Sequence, residues 1–194
     1  MVIGLMGGIG SGKSTVLEYL EKNYNAQIIQ SDHVAKEIMK PGHDVFHKIE
    51  QTFPEVIMEN KINSEKLSQI VFSDKENLKI LNSITHPGTV QEIIDRIKES
   101  NREIIVVESA LLIGSGVEEY CDELWFVYCE REKRIERLMD SRGYSREKAE
   151  GIIQNQPTED EYNIHADEFI DNTYSVEKTK EQIDLLLSMM PCSF

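Results

Sequence analysis

The chain has 194 residues, 40% of them hydrophobic and 29% charged, with a formal net charge of −14. That length suits one compact domain, residues 1–194, with a full core and a lid-like insertion. The acidic balance works against binding to nucleic acid or an anionic membrane, both of which select basic surfaces. No run reaches the ~18 uninterrupted apolar residues of a membrane span, and the three cysteines, Cys121, Cys129 and Cys192, have neither disulfide nor zinc-ligand spacing. The amino terminus lacks a basic stretch and is broken by glycines, so it does not read as a secretory signal, and a cytoplasmic protein is expected.

Val2 to Met6 is a nearly continuous apolar run ending at glycines, the pattern of a strand buried on both faces of a parallel sheet. Ser14 to Asn23 carries a helical stripe of Val16, Leu17 and Leu20, and Gln27 to Gln30 reads as a second strand. A helix is predicted from His33 to Lys40, stopped by Pro41-Gly42. The segment from about 41 to 101 is then mainly helical, with breaks near Pro54, at Asn60 to Ser64 and at His86-Pro87-Gly88. It is long for a crossover and is expected to carry a substrate pocket.

Further strands are predicted at Ile104 to Ser109 and Leu124 to Cys129, followed by charged helices at Arg131 to Met139 and Ser145 to Gln154. A short strand at Glu168 to Asp171 precedes a terminal helix, Ser175 to Met190. That helix is expected to pack through Val176, Thr179, Ile183, Leu186, Leu187 and Met190. Strands alternating with helices predict an α/β, doubly wound, mainly parallel five-stranded sheet, with ligands at the carboxyl ends of the strands.

Residues 7 to 14, GGIGSGKS, match GxxxxGK[ST] between a predicted buried strand and an amphipathic helix, the context a P-loop requires. Across Gly8, Ile9, Gly10, Ser11 and Gly12 the backbone can turn successive N–H groups toward phosphate oxygens, and the following helix adds its positive end. Lys13 is expected to reach the β- and γ-phosphates of ATP, Ser14 to ligate Mg²⁺, and Thr15 to add a phosphate contact.

The cradle alone does not choose among kinases, switches and motors. There is no NKxD guanine-reading motif. The one DxxG string, Asp140 to Gly143, lies in a predicted helical segment, so a GTPase is not favoured. Asp32, just past the second strand, could take a proton from an acceptor hydroxyl or hold Mg²⁺ through water; the alternative is a helix cap before His33. Glu108 ends an apolar run where a lone carboxylate would otherwise be costly to bury, and suits a place near Mg²⁺. Arg131, Arg134, Arg137, Arg142 and Arg146 could clamp a transferring phosphoryl group from a lid at about 131–156, or form a solvated face paired with Glu132 and Glu136. From the residues alone the reading is a small-molecule P-loop kinase. A kinase for another small acceptor and a nucleotide-binding switch with little turnover stand as alternatives.

The order of motifs resembles the dephospho-CoA kinase family from residue 4 to about residue 172. GLMGGIGSGKST is similar to that family's GLTGGIGSGKS(T), and Ser31-Asp32, Val34-Ala35-Lys36 and Pro41-Gly42 to its D-x-D, I-A-R and P-G series. Leu81-Asn82 with Ile84-Thr85-His86-Pro87 resembles LNxIxHP, and ESALL at Glu108 to Leu112 resembles D-x-P-L-L. Arg134, Arg137 and Leu138 resemble the lid helix, Gln156 a family glutamine, and Ala166-Asp167 with Ile170-Asp171-Asn172 the ADxxIDN ending near adenine. Gln30, Glu108, Ala110 and Gly114 depart from the pattern, and Arg142 sits one position past the usual lid arginine, where Ser141 falls.

The resemblance implies ATP- and Mg²⁺-dependent phosphorylation of the ribose 3′-hydroxyl of dephospho-CoA, and a monomer or weak homo-oligomer is expected. It implies Asp32 as general base, Lys13, Glu108 and Arg137 as further catalytic groups, and Arg142 and Asn172 beside the nucleotide. Asp32, Lys36, His86, Pro87, Leu111 and Leu112 are implied to contact the acceptor.

Overall fold

The computed structural model describes residues 1–109 and 112–189. In chain order the strands and helices are β1 (Val2–Met6), α1 (Lys13–Tyr24), β2 (Gln27–Gln30), α2 (Ser31–Ile38), α3 (Asp44–Thr52), β3 (Ile57–Met58), β4 (Lys61–Ile62), α4 (Ser64–Ser73), α5 (Lys75–Glu99), β5 (Ile105–Glu108), β6 (Glu123–Tyr128), α6 (Arg131–Arg142), α7 (Arg146–Gln154), α8 (Glu159–Asn163), β7 (Glu168–Asp171) and α9 (Val176–Met189). The chain divides into two compact units: residues 1–28 together with those from 100 onward, and Ile29–Glu99.

Five strands form one sheet in the order β2-β5-β1-β6-β7, as the apolar runs predicted. The pairings of β1 with β5, β1 with β6 and β6 with β7 are parallel, and Leu5 lies opposite both Glu108 and Trp125. Because β1 is central, its side chains are buried on both faces, which is why its sequence is apolar without alternation. On one face Ile3, Leu5, Val106, Trp125, Val127 and Ile170 pack with Val16, Leu17 and Leu20 of α1 and Ile183 and Leu186 of α9. Each such fully buried side chain contributes about 1.5–3 kcal/mol. The hydroxyls of Tyr19 and Tyr24 both donate to the Asp184 carboxylate, at 2.8 and 2.6 Å, which ties α1 to α9. That hydrogen bond, with burial, pushes the Tyr24 phenol up to about 12. Val176, expected on the packed face of the last helix, is 42% exposed, while Met190 lies outside the described residues.

Burial pushes the Cys121 thiol up to about 12 and raises that of Cys129, so both stay protonated at neutral pH. Cys192 lies outside the described residues.

In the second unit α2, α3 and α4 all pack on α5. Glu59 and Asn60, both with positive φ, close the two-residue hairpin between β3 and β4 where only a break was predicted. The break predicted at His86-Pro87-Gly88 is absent, and α5 runs through all three residues. Pro87 forfeits one backbone hydrogen bond, at a cost of about 3 kcal/mol in an isolated helix, but three helices packed along α5 hold it. Gly88 is there for packing rather than for a turn: a Cβ on it would lie 2.4 Å from Val45 Cγ2 on α3. Arg96 of α5 adds an ion pair to Glu37 of α2 at 2.6 Å. Among the described residues no helix is long and apolar enough to cross a membrane.

The two helical glycines give opposite expectations. Gly88→Ala should lower unfolding free energy by about 1–3 kcal/mol through overpacking. Gly151→Ala in α7, where a Cβ meets nothing within 4 Å, should raise it by about 0.5–1 kcal/mol through helix propensity. Urea denaturation of the two variants checks both signs.

Candidate active site

The loop between β1 and α1 has no side chain long enough to support itself, so its shape is imposed from other elements. Gly10 and Gly12 adopt φ of 77° and 93°, which other residues rarely do. They also leave room for neighbours: a Cβ at Gly8 would lie 2.2 Å from Arg134 Nη2, and one at Gly12 2.0 Å from Asn172 Nδ2.

Every carbonyl oxygen from Gly7 to Gly12 accepts a hydrogen bond. Lys13 Nζ donates to that of Gly7 at 2.8 Å, and the Ser11 amide to that of Gly8 at 3.2 Å. Arg134 Nε donates to Ile9 O at 2.9 Å, and Arg137 Nη1 to Gly10 O at 3.4 Å and Ser11 O at 3.1 Å. Asn172 Nδ2 also donates to Ser11 O, at 2.8 Å, and the Thr15 amide reaches Gly12 O at 3.0 Å. The amides are treated differently. That of Ile9 donates to Gln156 Oε1 at 2.8 Å and that of Ser11 to Gly8 O, whereas those of Gly8, Gly10 and Gly12 have no acceptor among the described residues. Gly12, at the N-cap of α1, brings no side-chain cap to the first turn of that helix. The Ser11 hydroxyl is buried without a partner among the described residues. Satisfied carbonyls, unsatisfied amides and a helix N-terminus make a site for phosphate oxygens.

The donors behind the loop hold each other. Arg134 is 8% exposed and its Nη2 shares Gln156 Oε1 with the Ile9 amide, at 2.9 Å, so the Ile9 peptide is gripped from both sides. Burial pulls its guanidinium below the ordinary arginine value. Asn172, 2% exposed at the end of β7, accepts from Thr179 Oγ1 at 2.8 Å while its carbonyl accepts from Arg137 Nη2 at 2.7 Å. Its amide group therefore supports the loop from behind. Lys13 Nζ also lies 3.4 Å from Glu108 Oε1, so two of the expected catalytic groups meet. Opposite Leu5 in register, Glu108 stands at the carboxyl end of β5 next to the start of the loop. Ser14 is exposed and Thr15 half-buried in the first turn of α1.

The arginine cluster splits. Arg134 and Arg137 serve the loop, whereas Arg146 pairs with Glu132 and Glu150 at 2.6 and 2.9 Å, the surface role weighed as the alternative. Arg142 is exposed as the last residue of α6. At 3.6 residues per turn it points about 140° away from Arg137, and Ser141 takes the position above Arg137, donating to its carbonyl. The DxxG string Asp140 to Gly143 is the end of α6 and its left-handed cap.

Asp32, Lys36, His86 and Pro87 belong to the second unit. Asp32 and Lys36 are exposed one turn apart on α2, whose N-cap is Gln30, so Asp32 is in the first helical turn and is not the cap. His86 and Pro87 are exposed on α5. Leu112 is 1% exposed, and a Cβ on Gly4 of β1 would lie 2.6 Å from its Cδ2. Leu111 lies outside the described residues.

Helix α8 was not predicted. Its signal is Thr158-x-x-Glu161, a capping box in which the Thr158 hydroxyl accepts from the Glu161 amide and the Glu161 carboxylate accepts from the Thr158 amide. It brings Tyr162, and Ile164 and His165 just beyond it, to a cleft at the carboxyl ends of β1 and β5.

The family model for dephospho-CoA kinase matches residues 1–178. A dephospho-CoA kinase of Carboxydothermus hydrogenoformans is 41% identical over 192 residues, covering 96% of this chain and 92% of that one. The solved dephospho-CoA kinase of Campylobacter jejuni superposes with a TM-score of 0.71 at 25% identity, over 96% of this chain and 95% of that one. A solved protein of Thermus thermophilus superposes with a TM-score of 0.80 at 27% identity, over 98% of each chain.

Asn172→Ala removes two buried hydrogen bonds worth about 1 kcal/mol each. It should weaken ATP binding roughly tenfold, read by calorimetric titration, while far-UV circular dichroism stays that of the parent protein.

Proposed function

The chain belongs to the dephospho-CoA kinase family, and on that premise we propose that it transfers the γ-phosphate of ATP to the ribose 3′-hydroxyl of dephospho-CoA, giving CoA and ADP. What supports the chemistry most is the loop at residues 7 to 12, with its carbonyls engaged and three glycine amides left over.

In this reading the amides of Gly8, Gly10 and Gly12 and of the first turn of α1 take the β- and γ-phosphate oxygens. Lys13 exchanges Gly7 O and Glu108 for the same oxygens, following charge as it moves. Asp32 accepts the proton of the 3′-hydroxyl as that oxygen attacks phosphorus. The bond from the γ-phosphorus to the β–γ bridging oxygen breaks, and ADP leaves. Arg137, already at the loop, adds positive charge where the transition state spreads negative charge. We assign nucleotide contact to Ile9, Ser11, Thr15 and Arg142 as well, with the buried Asn172, expected beside the nucleotide, acting through the loop it supports, and acceptor contact to Lys36, His86, Pro87, Leu111 and Leu112.

The donor set suits Mg²⁺, since Ser14, Asp32 and Glu108 offer hard oxygen ligands. Among the described residues no group of three or more His, Cys, Asp or Glu could hold a metal unaided, which suits an ion carried largely by phosphate and water. Ser14 would hold it directly, and Asp32 and Glu108 through water. When bound, Mg²⁺ supplies neutralisation of charge across the phosphate oxygens. We further propose that the enzyme works in the cytoplasm as one domain, a monomer or weak homo-oligomer.

The test is ADP release from ATP and Mg²⁺ with dephospho-CoA, beside AMP, CMP, shikimate and gluconate. Turnover on dephospho-CoA with one phosphate added to the product is expected, and turnover confined to another acceptor would discard the acceptor assignment. Asp32→Asn should lower kcat by roughly 10²- to 10⁴-fold with ATP affinity retained; near-normal kcat would remove Asp32 as the base.

A further inference from the structure

A cleft of about 250 Å³ opens beside the phosphate loop, lined by Met6, Ser109, Leu112, Ile113, Pro157, Glu161, Tyr162, Ile164 and His165. Met6 directly precedes Gly7 and Ser109 follows Glu108, so two of its lining residues are chain neighbours of the phosphate site. Its chemistry differs sharply from that of the loop. Among the described residues no Lys or Arg lines it and the one carboxylate, Glu161, is occupied by its own helix cap, while Met6, Leu112, Ile113, Pro157 and Ile164 make it largely apolar. A phosphate or pyrophosphate would lose its hydration there with no Lys or Arg among the described lining residues to compensate, only the His165 imidazole.

The walls are built rather than incidental. Tyr162 is stacked on Phe126 of β6 with ring centroids 4.9 Å apart. On the other side, the turn after Ile113 is closed by Glu118, whose carboxylate accepts from the amides of Gly114 and Gly116 and lies 3.3 Å from the Ser115 hydroxyl. That hydroxyl donates to Leu112 O at 2.7 Å. Burial alone would raise the Glu118 carboxyl, but its own amide, those of Gly114 and Gly116, and lastly the Ser115 hydroxyl outweigh it and hold the group below the ordinary carboxylate range. A charged acceptor at this point fixes a turn whose Gly114 and Gly116 have φ of 79° and 89°, and through it the Leu112–Ile113 wall.

We propose that this cleft binds an uncharged, partly apolar portion of the acceptor, with Ile113 and Ile164 as contacts and Glu118 as a positioning residue that holds the wall. The inference rests on the kinase reading above. Dephospho-CoA offers two such portions, the adenine ring and the pantetheine arm, and both have the required lack of charge.

Ile164 is 77% exposed, so Ile164→Asp places a charge at the rim without disturbing the core. It should raise KM for dephospho-CoA about tenfold or more, since a charge in an apolar contact costs at least as much as a lost buried group, while KM for ATP stays within about twofold. Glu118→Gln should raise the same KM severalfold with KM for ATP again unmoved, a split that a loss of general stability would not give. Inhibition by AMP and by 4′-phosphopantetheine distinguishes the two portions: Ile164→Asp weakens the inhibitor whose group occupies the cleft. An unchanged KM for dephospho-CoA in both variants, or an equal rise in KM for ATP, overturns the inference. Absence of turnover on dephospho-CoA by the unaltered enzyme instead overturns the reading on which it rests.

Discussion

The geometry of the phosphate loop depends on hydrogen bonds to its carbonyl oxygens. A run of peptides can present its amides to an anion only if the opposite ends of those peptides are satisfied elsewhere, because an unpaired buried carbonyl costs about as much as a lost hydrogen bond. Here Lys13, Arg134, Arg137 and Asn172 supply that satisfaction from three separate elements. The cations sit against the loop, so they also raise the local potential that an incoming phosphate meets. Arg134 and Arg137 are therefore loop components before they are anything else.

Much of the remaining architecture follows from the need to put those donors in place. Parallel pairing of β6 with β1 and of β7 with β6 carries α6 and Asn172 to the carboxyl edge of the sheet, where the loop starts. The α1–α9 packing, with Tyr19 and Tyr24 on Asp184, fixes Thr179 near enough to orient the Asn172 amide. Gln156, beyond α7, completes the hold on Ile9. Lys13 and Arg137, which support the loop, are thus also residues proposed for catalysis, so loop support and the proposed chemistry rest on the same sheet edge.

The central strands and the phosphate loop were legible because they break local rules in recognisable ways: a strand without alternation, and four glycines where a helix should begin. The meeting of Lys13 with Glu108 follows from strand order, which places β5 beside β1, and strand order is a tertiary fact. At Pro87 and Gly88 local propensity pointed to a turn, but packing from α2, α3 and α4 kept the helix intact, and the glycine's small size serves Val45. The cleft was not legible, since its walls come from residues 6, 109, 113 and 164, which no periodicity links. Only the Thr158–Glu161 box marked the helix that supplies Tyr162, and the carboxylate of Glu118 looked like one more acid in an acidic chain. Arg142 shows the opposite case: a motif one position out of step puts its side chain on another face of α6 than Arg137.

The most direct test of the loop account is amide hydrogen exchange measured residue by residue by NMR, with and without a non-hydrolysable ATP analogue. The account predicts that without nucleotide the amides of Gly8, Gly10 and Gly12 exchange rapidly while those of Ile9 and Ser11 are protected, and that the analogue protects the three glycines. Equal protection of all five amides without nucleotide, or no gain for the glycines on binding, would contradict it.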